Sequence, residues 1–251
     1  MHKQGIEVKR KTNLGIILET PYWFSIIEKL YPDSKRVFYD HSQDEVLHIK
    51  VKGIDIAFIA DRGSSISACI TERLLVYGAK AIARIGTCGG LSSKVKLLQP
   101  IITTACYSDE GTSKHYLPLG FPIISDINLN FFVAEAFKKN KTNYQYGITV
   151  TTDGRWRENT VLLKELSKLD VLSIEMDTAA ILSVCQFRKI PVTAVNIPSD
   201  SPTEEKNNND LKGVPSRKDH IKKLETVFKS ILPIVVSALV NYYTERIEKN
   251  N

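Results

Sequence analysis

Apolar runs of strand length alternate with helix-patterned segments along almost the whole chain, and this alternation constrains the fold most. Leu14–Leu18, Arg36–Tyr39, Val46–Val51, Ile54–Ala60, Lys80–Ile85, Pro100–Cys106, Tyr146–Val150, Leu172–Ile174 and Pro191–Ile197 read as strands. Helical patterns fall at Trp23–Leu30, which Pro32 ends, and at Ser65–Tyr77, Leu129–Lys138, Asn159–Leu169 and Met176–Gln186. Ile221, Leu224, Phe228, Ile231, Val235, Ala238, Leu239 and Tyr242 keep helical spacing and predict a last helix over residues 218–247, with a bend at Pro233. The alternation predicts an α/β fold with a mostly parallel or mixed sheet. No internal repeat and no Pro/Gly/Ser-rich linker interrupts it, so residues 1–251 read as one domain.

Composition narrows the function classes. Of the 251 residues, 34 are basic and 28 acidic, for a net charge of +6, but the two signs are mixed along the chain. That balance suits an anionic small substrate, and no basic block interleaved with aromatics points to nucleic acid. The four cysteines, Cys69, Cys88, Cys106 and Cys185, are widely spaced and form no CxxC, so they read as reduced thiols rather than metal ligands. No apolar signal core opens the chain and no run reads as membrane-spanning, so a cytoplasmic protein without membrane partners is expected.

The stretch AIARIGTCGGLS, residues 81–92, has the composition of an anion cradle. An apolar strand ends at Arg84, and Gly86, Gly89 and Gly90 read as a tight turn whose amides an anion can approach closely. Arg84 would bring the charge and Thr87 a hydroxyl donor; the alternative is an ordinary strand end and turn. Two further strand ends carry carboxylates, Glu175 and Asp177 in SIEMD and Asp200 in PSD. Ligand sites in α/β sheets collect at such ends. The polar segment 199–217 reads as a mobile loop or lid beginning beside Asp200.

Taken together, RIGTCGGL, SIEMDTAA and NIPSD, in this order and at these separations, resemble the nucleoside phosphorylase superfamily, which includes hexameric purine nucleoside phosphorylases and uridine phosphorylases. GTSKHYLPLGFP at 111–122 is similar to a loop of archaeal members. The resemblance runs from Leu14 to the last helix. It implies a three-layer sandwich around a central mixed sheet. It also implies phosphorolysis of a nucleoside to free base and ribose 1-phosphate, with phosphate as co-substrate and no other cofactor. On the family pattern Arg84 and Thr87 bind phosphate, Glu175, Met176 and Asp177 lie at the ribose, and Asp200 is the general acid at purine N7. Arg155 or Trp156 would stack on the base; rim or core packing is the alternative for Trp156. A homo-oligomer, from dimer to hexamer, is expected, and His2 is placed near a neighbour's ribose or in a tag-like terminus.

The chain departs from the family at the phosphate. The first strand of the family ends in a glycine-containing turn followed by an arginine, whereas here the turn reads Glu19-Thr20-Pro21-Tyr22-Trp23. A carboxylate at that place repels phosphate. Arg62 offers a substitute cation, Arg36 is nearest to the arginine a neighbouring subunit donates, and Asp177 is one methylene shorter than the usual glutamate. Aspartate at 200 favours a purine, and the Gln and Arg pair of uridine enzymes has no match. Phosphorolysis of a purine nucleoside is the leading expectation. Uridine phosphorolysis, nucleoside hydrolysis and a weakly active nucleoside-binding relative stay open.

Overall fold

A computed structural model describes residues 12–39, 44–201 and 217–250. The strands are β1 (Leu14–Leu18), β2 (Lys35–Tyr39), β3 (Asp44–Val51), β4 (Ile54–Ala60), β5 (Ile82–Gly90), β6 (Ile101–Asp109), β7 (Ile123–Ile124), β8 (Gln145–Thr152), β9 (Val171–Glu175) and β10 (Val192–Asp200). The helices are α1 (Phe24–Leu30), α2 (Ser64–Val76), α3 (Ile127–Lys139), α4 (Thr160–Lys168), α5 (Thr178–Arg188) and α6 (Arg217–Tyr242), the last continued by a wider turn at Tyr243–Ile247.

The strands form one mixed sheet in the order β2-β3-β4-β1-β5-β9-β8-β6-β10. β1 lies parallel to both β4 and β5, while β2, β3 and β4 pair antiparallel. β1 shows why both faces need helices. Leu14, Ile16 and Leu18 join a core with α1, α3 and α6, whereas Ile17 points to the other side and packs with α2 and α5. Successive residues of a strand face opposite ways, so five buried residues in a row, four with apolar side chains, require cover on both sides. This is the three-layer α/β arrangement expected from the sequence. One closure goes beyond it: β10 pairs with β5 as well as with β6, so β5, β9, β8, β6 and β10 close into a ring.

Three features differ from the sequence expectations. Gly86–Gly90 is not a turn: β5 runs on through Gly90, pairing with β10 and, at its end, with β9. Pairing with β10 and β9 takes up backbone groups of this stretch, and the Thr87 N–H goes instead to the Glu19 carboxylate; extended backbone is thereby stabilised over a turn. The loop after β10 starts later than expected, because Ser199 and Asp200 still belong to the strand; the rest of the predicted lid, 202–216, and His2 lie outside the described residues. Finally, Lys218–Ile247 is long and apolar enough to cross a membrane by length and composition. In the fold its apolar stripe, Phe228, Ile231, Leu232, Val235, Val236 and Leu239, is buried in the main core. The helix continues through Pro233.

Candidate active site

Arg84 stands in the middle of β5 between buried Ala83 and Ile85, and its own side chain is buried. Buried charge persists only when paired. Nη2 donates to Asp177 Oδ2 at 2.8 Å and lies 3.1 Å from Glu175 Oε2, and Nη1 donates to Asn196 Oδ1. Nε has no hydrogen-bond partner among the described residues. Burial works against the guanidinium charge, but Glu175, Asp177 and Glu19 outweigh it and hold the Arg84 pKa above its ordinary value.

Glu175 of β9 and Asn196 of β10 meet this arginine directly, and side chains of β6 and β8 reach it through Asn196. Asn196 of β10 turns its amide nitrogen to Thr103 of β6 (3.0 Å) and Thr149 of β8 (3.3 Å), and Thr149 reaches Ser173 of β9 at 2.9 Å. The ring interior around Arg84 is therefore a hydrogen-bonded polar chain. The sequence carried a signal for it: isolated Thr, Ser or Asn at buried positions of otherwise apolar strands.

Glu175 ends β9, and its carboxylate receives the first N–H groups of α5. Oε2 accepts from Asp177 N at 2.8 Å and from Thr178 N at 2.9 Å. Negative charge at a helix N-terminus is favoured by the unpaired amides and the helix dipole. Burial pushes the Glu175 carboxyl up, Arg84 opposes this, and neighbouring Asp177 adds to it. Thr151 supports the arrangement twice, donating to Glu175 Oε1 at 2.6 Å and accepting from Ala179 N at 2.9 Å. Thr151→Val removes both contacts and is expected to lower unfolding free energy by about 1–3 kcal/mol in urea titration. A change within about 0.5 kcal/mol, as for an ordinary surface substitution, would contradict this support role.

Asp177 joins two helices to the ring. Its Oδ1 accepts from Gly63 N (2.6 Å) and Ser67 Oγ (3.1 Å) at the start of α2, while Oδ2 receives Arg84. Met176 accepts Ser64 Oγ on its carbonyl at 3.0 Å. Its side lines a cleft of about 450 Å³ together with Arg62, Asp153, Gly154, Arg155, Trp156 and Arg157.

The structure thus divides the predicted site residues into two groups. Arg62, Arg155, Trp156 and Met176 line the cleft. Trp156 is 90% exposed, with Arg155 over its ring at 5.8 Å, which excludes core packing for this tryptophan. Arg84, Glu175 and Asp177 form a separate buried cluster, and the Thr87 backbone N–H donates to Glu19, the third carboxylate beside Arg84. Asp200 closes β10 opposite Gly89 of β5, exposed, and accepts from Ser199 Oγ at 2.8 Å. Arg36 is occupied, pairing with Glu28 and Glu45 at 2.5 Å each.

Two residues were missed as members of the site. Glu158 follows the Arg155–Arg157 turn; burial raises its carboxyl pKa, Asp200 raises it further and Arg155 opposes. Glu19 is expected from the sequence to repel phosphate; the structure adds that it takes the donors of that place itself. Its carboxylate accepts the Thr87 N–H through Oε2 and the Trp23 indole N–H through Oε1 at 3.2 Å. Burial pushes this carboxyl up, against Arg84 and the Thr87 N–H.

Comparison with known proteins agrees with this architecture. A family model described as "Phosphorylase superfamily" matches residues 13–236. A DeoD-type purine nucleoside phosphorylase of Shewanella loihica is 29% identical over 164 residues, 63% of this chain and 69% of that protein. A uridine phosphorylase of Haemophilus influenzae is 28% identical over 137 residues, 49% of this chain and only 54% of that protein. Among solved structures, uridine phosphorylase from Vibrio fischeri superposes with a TM-score of 0.81 at 18% identity, covering 93% of each chain, a likeness of fold. The purine and uridine relatives match about equally well. The extent of the family match, across the ring and its polar cluster, means that this chain belongs to the phosphorylase superfamily, the family of the nucleoside phosphorylases.

Proposed function

We propose that this protein cleaves the N-glycosidic bond of a purine nucleoside by glycosyl transfer. The observation that carries the reading is that paired ring strands carry the proposed site residues, β5 within its length and β9 and β10 at their ends. β5 brings Arg84 and Thr87, β9 brings Glu175 with Met176 and Asp177 behind it, and β10 brings Asp200, where the ring strands pair. Breaking the bond leaves an oxocarbenium-like sugar and a base carrying excess electron density. On the family pattern Glu175, Met176 and Asp177 are the ribose side, with the two carboxylates held by Arg84 and the start of α5. The base needs a proton or hydrogen bond, and Asp200 is the acid offered to purine N7. Met176 lines the cleft and is assigned to the ribose, while the exposed Arg155–Trp156 pair offers the base a flat cationic surface.

Phosphate is the acceptor that the relatives' names imply, with Arg84, Thr87 and Arg62 on its side. Water is the second reading, and a specific observation favours it: the Glu19 carboxylate already sits on the Thr87 N–H. The test is base release from inosine, adenosine, guanosine and uridine, each with and without phosphate, followed by chromatography. Release of hypoxanthine, adenine or guanine is expected. Cleavage of uridine alone would move the substrate class to pyrimidines, and binding without turnover would make the protein a nucleoside-binding relative.

A further inference from the structure

We infer that Glu19 is a resident anion: its carboxylate fills the oxyanion cradle of β5 and keeps inorganic phosphate out, so that Glu19 sets the glycosyl acceptor. The inference rests on the reading of this place as the acceptor side of a nucleoside-cleaving site.

The backbone delivers Glu19 to the cradle. Leu18 of β1 pairs with Ile85 of β5, so the next residue along β1 stands beside Gly86. From there the carboxylate takes the donors an oxyanion would use. Oε2 receives the Thr87 N–H, Oε1 receives the Trp23 indole N–H, and the Arg84 guanidinium provides the charge. Gly86 makes room for it: a Cβ there would collide with Glu19 Oε2 and come within 2.7 Å of Arg84 Cζ. Trp23 is itself held in place, buried and stacked on Phe228 of α6 with ring centres 4.4 Å apart. One donor is thus backbone and the other is packed into the core, so the seat is preorganised for a carboxylate tethered two bonds beyond its Cβ. A free phosphate would have to displace a covalently attached competitor and lie against its negative charge.

Two further carboxylates, Glu175 and Asp177, already share the same guanidinium. Arg84 therefore has no charge left over for a dianion. With phosphate excluded, water is the acceptor. Its oxygen bonds to C1′ as the C1′–N bond breaks, the bonding pair leaves with the base, and the proton that water gives up balances the one the base acquires.

Phosphate binding tests this without any need for turnover. The chain has two tryptophans, so Trp156→Phe leaves Trp23, at the cradle, as the single indole reporter. In that background inorganic phosphate is titrated against Glu19 and against Glu19→Gly and Glu19→Ala, with calorimetry alongside. With Glu19 present, neither signal should saturate through the millimolar range. Both truncations should gain phosphate affinity by about 10–100-fold, the size of a hydrogen bond to a charged group. Equal, saturable phosphate binding with and without Glu19 overturns the inference. The unmutated protein gives a second reading if the truncations do not fold: base release independent of phosphate supports the inference, and release that rises with phosphate to saturation overturns it. If no nucleoside is cleaved under any condition, the proposed activity fails, while the phosphate titrations still decide the role of Glu19.

Discussion

Arg84→Met is expected to lower the unfolding free energy by about 3–5 kcal/mol, the cost of removing one partner from a buried ion pair. In a chain of this size that is a fall in melting temperature of about 6–20 °C. The reason lies in the partners left behind. Glu175 and Asp177 are buried on the same side of Arg84, Glu19 is its third carboxylate neighbour, and Asn196 loses its donor. Methionine fills much of the volume but compensates none of this charge. The deficit should also depend on pH. Burial already raises the Glu19 and Glu175 carboxyls, and Arg84 is what pulls them down. Without Arg84 their native pKa values rise further above the unfolded ones. The variant then binds more protons folded than unfolded, so its stability falls as pH rises through those values and recovers as pH drops toward the ordinary carboxylate range. Urea titrations of both proteins at neutral and mildly acidic pH measure this. A deficit that is small, or that does not shrink on acidification, would contradict the charge-compensation account.

Asp200→Asn should slow purine release by about 10²–10⁴-fold, the usual contribution of a positioned general acid. The substitution keeps the shape and the Ser199 contact on a residue that is exposed at a strand end, so the fold and nucleoside binding should persist. The loss should therefore appear in kcat and leave KM within a few-fold of the parent value. A nucleoside whose base departs without protonation should lose far less. Unchanged purine turnover in the asparagine variant would remove Asp200 from the chemistry and direct attention to Glu158, its charged neighbour.

Much of this was legible in the chain itself. The run Leu14-Gly15-Ile16-Ile17-Leu18 in β1 requires helices on both sides of the sheet, and the periodic apolar positions of residues 218–247 require a helix buried along one stripe. The glycines after Arg84 were misread, because glycine marks two situations that look alike in a local window. It permits a turn, and it also permits close approach by another group. At Gly86 the second applies, and the approaching group comes from a residue 67 positions earlier in the chain, since Glu19 and Gly86 are residues 19 and 86.

The sequence by itself determined the alternation of elements, the residues buried on each face, and which strand ends would carry charge. Local periodicity and side-chain chemistry are sufficient for those, because each depends on neighbours within a few positions. Only the tertiary structure decided what those charges do. Arg84 reaches Asp177 across 93 residues of chain and Asn196 across 112, and Thr87 meets Glu19 across 68. Such contacts exist only once β1, β5, β9 and β10 are paired. They form in a desolvated interior, where an arginine must take its counter-charges from whichever strands the topology places beside it.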